Sequence, residues 1–179
     1  TAVLIISQLV QIADEAILKA LANFSGVGRR FHLHGEMRVN GGGALLLEDY
    51  GHHPSEIKAT LSAVRSAWPD RRVVLVFQPH RYTRTRDLFK EFTEVLSQAD
   101  ALCLLPVYSA GEAPIEKADS LNLKEAIAHK GKLNPQLVSD LKDLKNILFD
   151  LAEDDDILLF QGAGNVGGLA PQLMAEKTL

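Results

Sequence analysis

The stretch that decides the fold is DDILLFQGAGNVG, residues 155–167, in which an apolar run leads directly into a glycine-rich turn. The run ILLF has the length and composition of a buried β-strand, and small residues after such a strand are typical of a turn into a helix. GAGNVG at 162–167 also fits the G-x-G-x-x-G pattern of dinucleotide-binding loops. The first question is therefore whether the protein binds NAD or FAD.

The position of this loop in the chain argues against a dinucleotide site. A dinucleotide loop follows the first strand of a βαβ unit, and an acidic residue lies about 20 positions further on, at the end of the next strand. Only twelve residues follow Gly167, which is enough for one helix but not for a second strand. We therefore reject the NAD interpretation and expect a strand-to-helix turn whose backbone N–H groups face a rim of the fold.

Elsewhere in the chain, apolar strands alternate with amphipathic helices. The expected strands are RFHLHGEM, ALLLEDY, RRVVLVFQP, ALCLLPVY, QLVS and DDILLF. The first two are joined across NGGG, which predicts a hairpin. Helices are expected at the start of the chain, where Asp14 is placed to cap one of them, and around residues 54–68, 86–99, 121–129, 141–152 and at the end. The alternation predicts an α/β fold, a Rossmann-like three-layer sandwich with a mostly parallel sheet of about six strands and an antiparallel edge hairpin.

Composition limits the possible classes of protein. The chain has 179 residues, 46% of them hydrophobic, which suits one well-cored domain with at most a small appendage. A formal net charge of -4 argues against a surface for nucleic acid or an anionic membrane. The single cysteine, Cys103, lies in an apolar run, so we expect a buried thiol and a reducing, cytoplasmic setting. No apolar run reaches the roughly 18 residues of a membrane span.

Four loops carry polar or small residues where a structural connection needs only a turn. In an open parallel sheet, ligands bind at the carboxyl ends of the strands. We therefore expect these loops to meet at one rim. They are EDYGHHP (48–54), QPHRYTRTR (78–86), YSAGEAPIEKADS (108–120) and QGAGN (161–165).

In the first of these loops Asp49 ends an apolar strand, where its carboxylate could accept two hydrogen bonds from a vicinal diol such as ribose. Alternatively, Asp49 only caps the following helix and the histidines are turn residues. A metal ion could also be bound by the histidines that lie near strands or loops, which are His32, His34, His52, His53 and His80. They lack a cysteine partner and zinc-type spacing, so we expect no metal site.

The second loop places three arginines beside His80 at a strand end and helix start. Guanidinium groups give planar, two-pronged recognition of carboxylate or phosphate. The alternative is a solvated basic turn paired with acids such as Asp87. Three arginines in six residues favour anion binding by Arg81 and Arg84, whereas we expect Arg86 to be structural.

Five motifs in this order resemble one family: FSGVGRRF, DYGHHPSEI, FQPHRYTRTRDLF, VYSAGEAPI and QGAGNVG. From about residue 14 to the end, the chain resembles the C-terminal domain of the Mur ligase family, in particular the members that join L-alanine to UDP-N-acetylmuramate. The second choice is the murein-recycling branch, which attaches a tripeptide to the same sugar. That branch usually shows Phe-Ala in place of Tyr50-Gly51.

The resemblance implies an ATP-dependent acid–amine ligation that needs Mg²⁺, in which a sugar carboxylate becomes an acyl phosphate and an amine attacks it. Such enzymes have three domains, for the UDP-sugar, for ATP and for the incoming amino acid. By resemblance, Asp49 would hold the ATP ribose, and Arg30 would approach ATP as the domains close. The residues implied around the L-alanine are Tyr50, His52, Arg81 and Arg84, with the arginines on its carboxylate.

The resemblance also divides the chain. Residues 1–28 are expected to be the last helices of the central ATP-binding domain, and residues 29–179 the C-terminal domain. No G-x-x-x-x-G-K-[ST] phosphate loop occurs in the sequence. Because the chain also begins without Met, we expect a fragment that is inactive alone, whose partners are its own missing domains and small-molecule substrates.

Overall fold

The computed structural model describes residues 2–24 and 27–176. The strands are β1 (His32–Val39), β2 (Gly42–Asp49), β3 (Val73–Phe77), β4 (Ala101–Leu104), β5 (Gln136–Leu137) and β6 (Ile157–Gln161). The helices are α1 (Ala2–Leu9), α2 (Asp14–Ala22), α3 (Pro54–Ala67), α4 (Tyr82–Asp87), α5 (Phe89–Leu96), α6 (Ser120–His129), α7 (Leu144–Leu151) and α8 (Leu169–Glu176). Short 3-10 turns at Leu141–Asp143 and Asn165–Gly168 lead into α7 and α8.

The strands form one sheet in the order β1-β2-β6-β3-β4-β5. The β1–β2 hairpin is antiparallel, and every other neighbouring pair is parallel. β6, which contains the apolar run ILLF, lies between β2 and β3, so that Leu159 pairs with Leu47 on one side and Leu75 on the other. This central position explains why all five of its residues are buried. The predicted fold is confirmed.

Helices cover both faces of the sheet. On one face, Ile57 of α3, Phe92 of α5 and Leu123 of α6 pack against alternate strand residues. On the other face, Leu148 of α7 and Leu173 of α8 pack against the residues in between. Because successive strand residues point to opposite faces, each buried strand contributes to both cores.

The helix starts differ from the sequence expectations at two points. Asp14 is the first residue of α2 and makes no capping hydrogen bond, and Ala13 occupies the N-cap, so the predicted cap is wrong. The helix expected around 86–99 is two helices with a break at Leu88, and the first begins earlier, at Tyr82. Arg81, the residue directly before this helix, has a positive φ of 74° and turns the chain into the helix.

The first two helices contact each other, and many large apolar side chains on them and on the residues that follow each helix are exposed. These are Ile5, Ile6, Leu9, Val10, Ile12, Leu18, Leu21 and Phe24. Within residues 2–24 and 27–176, no helix is both long and apolar enough to cross a membrane. Cys103 is buried in β4, as expected, and burial raises the pKa of its thiol to about 12.

Candidate functional site

The four polar loops meet at the carboxyl edge of the sheet, as expected. The amide of Arg81 donates to the carbonyl oxygen of Tyr108 at 2.8 Å, which joins the second loop to the third. Gln78 Nε2 donates to Asn165 Oδ1 at 2.6 Å, which joins the second loop to the fourth. The first and fourth loops are joined where the ends of β2 and β6 lie side by side. The rim is therefore one hydrogen-bonded surface.

Asp49 is the centre of a buried cluster that fastens four segments together. Its Oδ1 accepts from the amide of Gly51 (2.8 Å), from Thr60 Oγ1 on α3 (3.1 Å) and from Gln161 Nε2 on β6 (3.1 Å). Its Oδ2 accepts from the amide of Phe31 at 2.9 Å. We call these five residues the Asp49 cluster. Asp49 is only 8% exposed, so this carboxylate organises the end of the sheet.

The residue that caps α3 is His53, not Asp49. His53 Nδ1 accepts from the amide of Ser55, and Glu56 Oε2 accepts from the amides of His52 and His53 at 2.9 and 3.0 Å. Burial raises the pKa of Glu56, but the two amide donors and the nearby His52 outweigh it and lower the pKa overall. The helix-cap interpretation of Asp49 is therefore wrong, and Pro54 is the first helical residue, as expected.

A second buried carboxylate lies next to Asp49 in the sequence but on the other face of the sheet. Glu48 is 3% exposed and accepts from Arg29 Nε at 2.7 Å, while its other oxygen lies 2.9 Å from His34 Nε2. Arg29 Nη2 also donates to the carbonyl oxygens of Gly162 and Gly164. This arginine therefore links the segment before β1 to the glycine-rich loop after β6.

Protein side chains fill the space beside these glycines. A Cβ built on Gly164 would lie 2.3 Å from Gln78 Oε1, and one on Gly167 would lie 2.1 Å from the Arg29 guanidinium carbon. Gly162 has φ +146°, which other residues rarely adopt. The loop is glycine-rich because Arg29 and Gln78 pack directly against it.

Four rings form a row across three of the loops. Tyr50 and His52 lie 5.4 Å apart, His52 and His80 5.5 Å, and His80 and Tyr108 5.3 Å, all between ring centroids. The guanidinium carbons of Arg29 and of the exposed Arg30 lie 4.9 and 5.4 Å from the centre of the Tyr50 ring. The row therefore connects the first loop to the arginine loop and has two cations beside its Tyr50 end.

The arginine loop lies at the other end of the ring row. Arg84 is half-buried and its Nη1 donates to the carbonyl oxygen of His80 at 3.0 Å. Arg81 is more exposed, and its Nη1 is 3.5 Å from Glu112 Oε1. Glu112 itself accepts from the amide and hydroxyl of Thr83, at 3.0 and 2.7 Å, so it caps the start of α4. Both guanidinium groups therefore lie at the carboxyl edge of the sheet.

Arg86 differs from the two other arginines of the loop. It is exposed and bonded to the neighbouring Asp87 at 2.8 Å. It has no contact with the ring row or with Glu112 at hydrogen-bond distance in the described residues. A structural role for Arg86 stays a prediction.

The structure thus brings Tyr50, His52, Arg81 and Arg84 to one stretch of the rim, with Asp49 buried behind it and Arg30 at its edge. The sequence interpretation missed the polar residues that support these side chains: Arg29, Glu48, Gln78, Glu112 and Gln161. Three of them shared one signal, which is a long polar side chain at the carboxyl end of an apolar strand. Such a residue must find partners when it is buried, and so it marks the edge where loops converge.

Comparison with known proteins gives a family match and similar structures. Residues 29–164 match the family model described as the glutamate ligase domain of Mur ligases. The chain is similar to the UDP-N-acetylmuramate–alanine ligase MurC of Thermotoga maritima, with a TM-score of 0.69 and 22% identity over 96% of this chain and 35% of that one. It is also similar to a murein peptide ligase of Psychrobacter arcticus, with a TM-score of 0.61 and 20% identity over 88% of this chain and 31% of that one.

A third similar structure is that of a folate enzyme. It is the bifunctional folylpolyglutamate synthase/dihydrofolate synthase of Yersinia pestis, with a TM-score of 0.63 and 17% identity over 91% of this chain and 35% of that one. Structures of that enzyme contain AMPPNP, manganese and L-glutamate. The chain spans about a third of the length of these three enzymes. At such low identity, these likenesses establish a shared fold.

Proposed function

Because the chain belongs to the Mur ligase family, we propose that it is the amine-substrate-binding domain of an ATP-dependent ligase that joins L-alanine to UDP-N-acetylmuramate. The observation that carries the proposal is the pair Arg81 and Arg84, whose guanidinium groups lie at the carboxyl edge of a parallel sheet beside the ring row. A small amino acid offers a carboxylate for the arginines and a short apolar side chain for the rings.

In this proposal the residues of the chain bind and orient the amine. Arg81 and Arg84 hold the carboxylate of L-alanine, and Tyr50 and His52 form a wall beside its methyl group. ATP, when bound, supplies the phosphoryl group that activates the sugar carboxylate. Fixing the carboxylate of the amine orients its nitrogen towards that activated group, which lowers the entropic cost of the reaction.

The residues present fit the ribose end of ATP. Asp49 Oδ1 already accepts from three donors, whereas Oδ2 accepts, among residues 2–24 and 27–176, only from the amide of Phe31 and has capacity for a second donor. A ribose hydroxyl is a donor of that kind. Arg30 carries an exposed guanidinium close by, over Tyr50, so we propose both residues as ATP contacts.

The described residues do not fit the phosphate end of ATP or Mg²⁺. The sequence has no phosphate loop, and residues 2–24 and 27–176 contain no group of three or more His, Cys, Asp or Glu side chains placed to hold a metal ion. We propose that these sites lie in a preceding central domain and that residues 1–28 are the end of that domain. The exposed apolar side chains of α1 and α2 support that assignment.

The alternative amine substrate is the tripeptide of murein recycling, which the similarity to the Psychrobacter arcticus ligase favours. One feature of the rim favours L-alanine instead. A Cβ on Gly51 would lie 2.7 Å from Asp49 Oδ1 and 2.8 Å from Gln161 Nε2, so the Asp49 cluster requires glycine there. The tripeptide branch usually carries alanine at that position.

The test is a ligation assay with the full-length protein that contains this chain. It is supplied with ATP, Mg²⁺ and UDP-N-acetylmuramate, together with L-alanine in one series and the tripeptide in another. We expect turnover with L-alanine, and we expect the 179-residue chain alone to form no amide and to release no phosphate from ATP. Turnover with the tripeptide only would favour the alternative, and ATP-dependent phosphate release by the short chain would contradict the proposal.

A further inference from the structure

His80 contacts Arg84 through two different atoms. Arg84 Nη1 lies 3.0 Å from the carbonyl oxygen of His80 and 3.2 Å from its Nδ1. The imidazole ring is held on both sides, because it stacks on Tyr108 with an angle of 14° between the planes and lies 5.5 Å from His52. Two acceptors of His80 therefore hold Nη1 of the flexible Arg84 side chain in place.

The chemistry of arginine fixes the protonation of His80. A guanidinium group has five N–H donors and no acceptor, so Nδ1 can bond to Arg84 only as an unprotonated acceptor. A neutral imidazole with an acceptor at Nδ1 carries its proton on Nε2. The contact therefore exists only while His80 is neutral, and protonation at Nδ1 would bring two cations together.

The surroundings of His80 favour that neutral form. The charged or titratable groups that face it from the neighbouring elements are His52, Tyr108, Arg81, Arg84 and Glu112. Burial lowers the pKa of His80, and His52, Arg84 and Arg81 lower it further. Glu112 acts in the opposite direction, but its carboxylate already accepts from Thr83. The pKa of His80 therefore lies below its ordinary value of 6.5.

We propose that His80 is a positioning residue: its neutral imidazole fixes Arg84 in the orientation that receives the carboxylate of the amine substrate, and protonation of His80 releases Arg84. The inference rests on the proposed function, because it takes Arg84 as the carboxylate ligand. With Nη1 engaged, Nε and Nη2 of Arg84 make no hydrogen bond within the described part of the chain. These two donors match the two oxygens of a carboxylate.

The proposal predicts a pH dependence with a definite sign. Because His80 must be neutral, kcat/KM for L-alanine should be constant at neutral pH and fall as the pH drops through the lowered pKa of His80. The midpoint of the fall should therefore lie below pH 6.5. KM for UDP-N-acetylmuramate should not follow this change, since Arg84 acts only on the amine.

Two substitutions at His80 in the full-length ligase separate the acceptor from the ring. His80→Asn places an amide oxygen near the position of Nδ1, so KM for L-alanine should stay within a few-fold of wild type and the acid fall should disappear. His80→Phe keeps the ring but removes the acceptor, so KM for L-alanine should rise roughly ten- to a hundredfold at every pH, with little change in KM for ATP. His129→Asn, an exposed histidine at the end of α6, is the matched control and should leave the acid fall unchanged.

A spectroscopic measurement covers the case in which a variant fails to fold. Long-range ¹H–¹⁵N spectra of the full-length protein labelled in histidine, with the His80 signal assigned from whichever His80 variant folds, should show an unprotonated Nδ1 at pH 7.5. A protonated Nδ1 would overturn the inference, and so would an unchanged L-alanine KM in folded His80→Phe.

The Arg84→Ala variant distinguishes the two levels of the argument. If it raises KM for L-alanine and His80→Phe does not, only the positioning role of His80 is wrong. If Arg84→Ala leaves KM for L-alanine unchanged, the proposed function is wrong and the inference falls with it.

Discussion

The Asp49 cluster and the arginine loop lie on the same rim, but their charged groups differ in burial and in hydrogen bonding within the chain. Asp49 is 8% exposed and accepts four hydrogen bonds from within the chain. The Arg81 side chain is 47% exposed, and its ion pair with Glu112 spans 3.5 Å. The hydrogen-bonding capacity of the Asp49 carboxylate is largely used within the fold, whereas the Arg81 guanidinium group has donors left for a ligand.

Along one edge of the sheet, some residues therefore stabilise the fold while others are available to bind a ligand. A buried carboxylate surrounded by donors fixes the segments that supply them, and removing it leaves those donors without partners. A half-exposed guanidinium contributes little to stability and can use its donors on a ligand. Substitutions in the Asp49 cluster should therefore affect folding first, and substitutions in the arginine loop should affect substrate binding first.

The largest effect on folding is expected from Asp49→Ala. It removes the acceptor for the amides of Phe31 and Gly51 and for the side chains of Thr60 and Gln161. We expect the free energy of unfolding to fall by about 3 kcal/mol or more, because each buried donor left without a partner costs about 1–3 kcal/mol. Urea unfolding of the variant and the wild type measures this directly. A loss below about 1 kcal/mol would remove the distinction between the two regions.

Gly51→Ala is expected to lower the free energy of unfolding by less than Asp49→Ala does. The added methyl group would meet Asp49 Oδ1 at 2.7 Å and Gln161 Nε2 at 2.8 Å, so the cluster must shift. Forcing such a group into a packed site costs about 1–3 kcal/mol. Gly168→Ala is the matched control, since a Cβ there meets nothing within 4 Å and the thermal midpoint should hardly change. Equal midpoints for the two variants would show that the cluster tolerates a side chain at residue 51.

The smallest effect is expected at Glu112, a residue of the third loop that binds Thr83 and Arg81 of the arginine loop. The amide and hydroxyl of Thr83 and the guanidinium of Arg81 hold the pKa of Glu112 below its ordinary value of 4.5. A depressed carboxyl pKa stabilises the folded state above pH 4.5, and this contribution disappears as the pH falls through the folded-state pKa. Glu112→Gln should therefore lower the thermal midpoint slightly at pH 7. The difference from wild type should vanish in acid, and a difference that grew in acid would contradict the assignment.

The sheet could be predicted from the sequence because its signals are local. Each buried strand is a short apolar run, and Pro54 marks the start of α3. The place of β6 between β2 and β3 has no local signal, since a strand's neighbours depend on the packing of the whole chain. The loops could still be assigned to one rim, because parallel strands share their carboxyl ends.

The Asp49 cluster shows why the rest of the site could not be predicted. Gln161 reaches Asp49 only because β6 is inserted beside β2, 112 residues later in the chain. Likewise, Glu48 was a polar residue without an assigned role until the fold placed Arg29 and His34 next to it. Residue types at strand ends therefore indicated where chemistry occurs, while the partners of each side chain depended on strand order.

The central claim is that Arg81 and Arg84 hold the carboxylate of the amine substrate. Its most direct test is a steady-state titration of each substrate against the full-length wild type, Arg81→Ala, Arg84→Ala and Arg84→Lys, with Arg86→Ala as the matched control. Truncating one partner of a carboxylate pair in a closed cleft should raise KM for L-alanine by roughly tens- to thousands-fold. Arg84→Lys should restore only part of this loss, because a point charge cannot make the two-pronged contact.

The same titration gives the result that would contradict the account. KM for UDP-N-acetylmuramate should stay near the wild-type value in every variant, and Arg86→Ala should leave all three substrates unaffected, since Arg86 is exposed and paired with Asp87. If kcat and the KM for L-alanine stay level in Arg81→Ala and Arg84→Ala while the KM for the UDP-sugar climbs, the arginine loop binds the nucleotide sugar and the central claim is wrong.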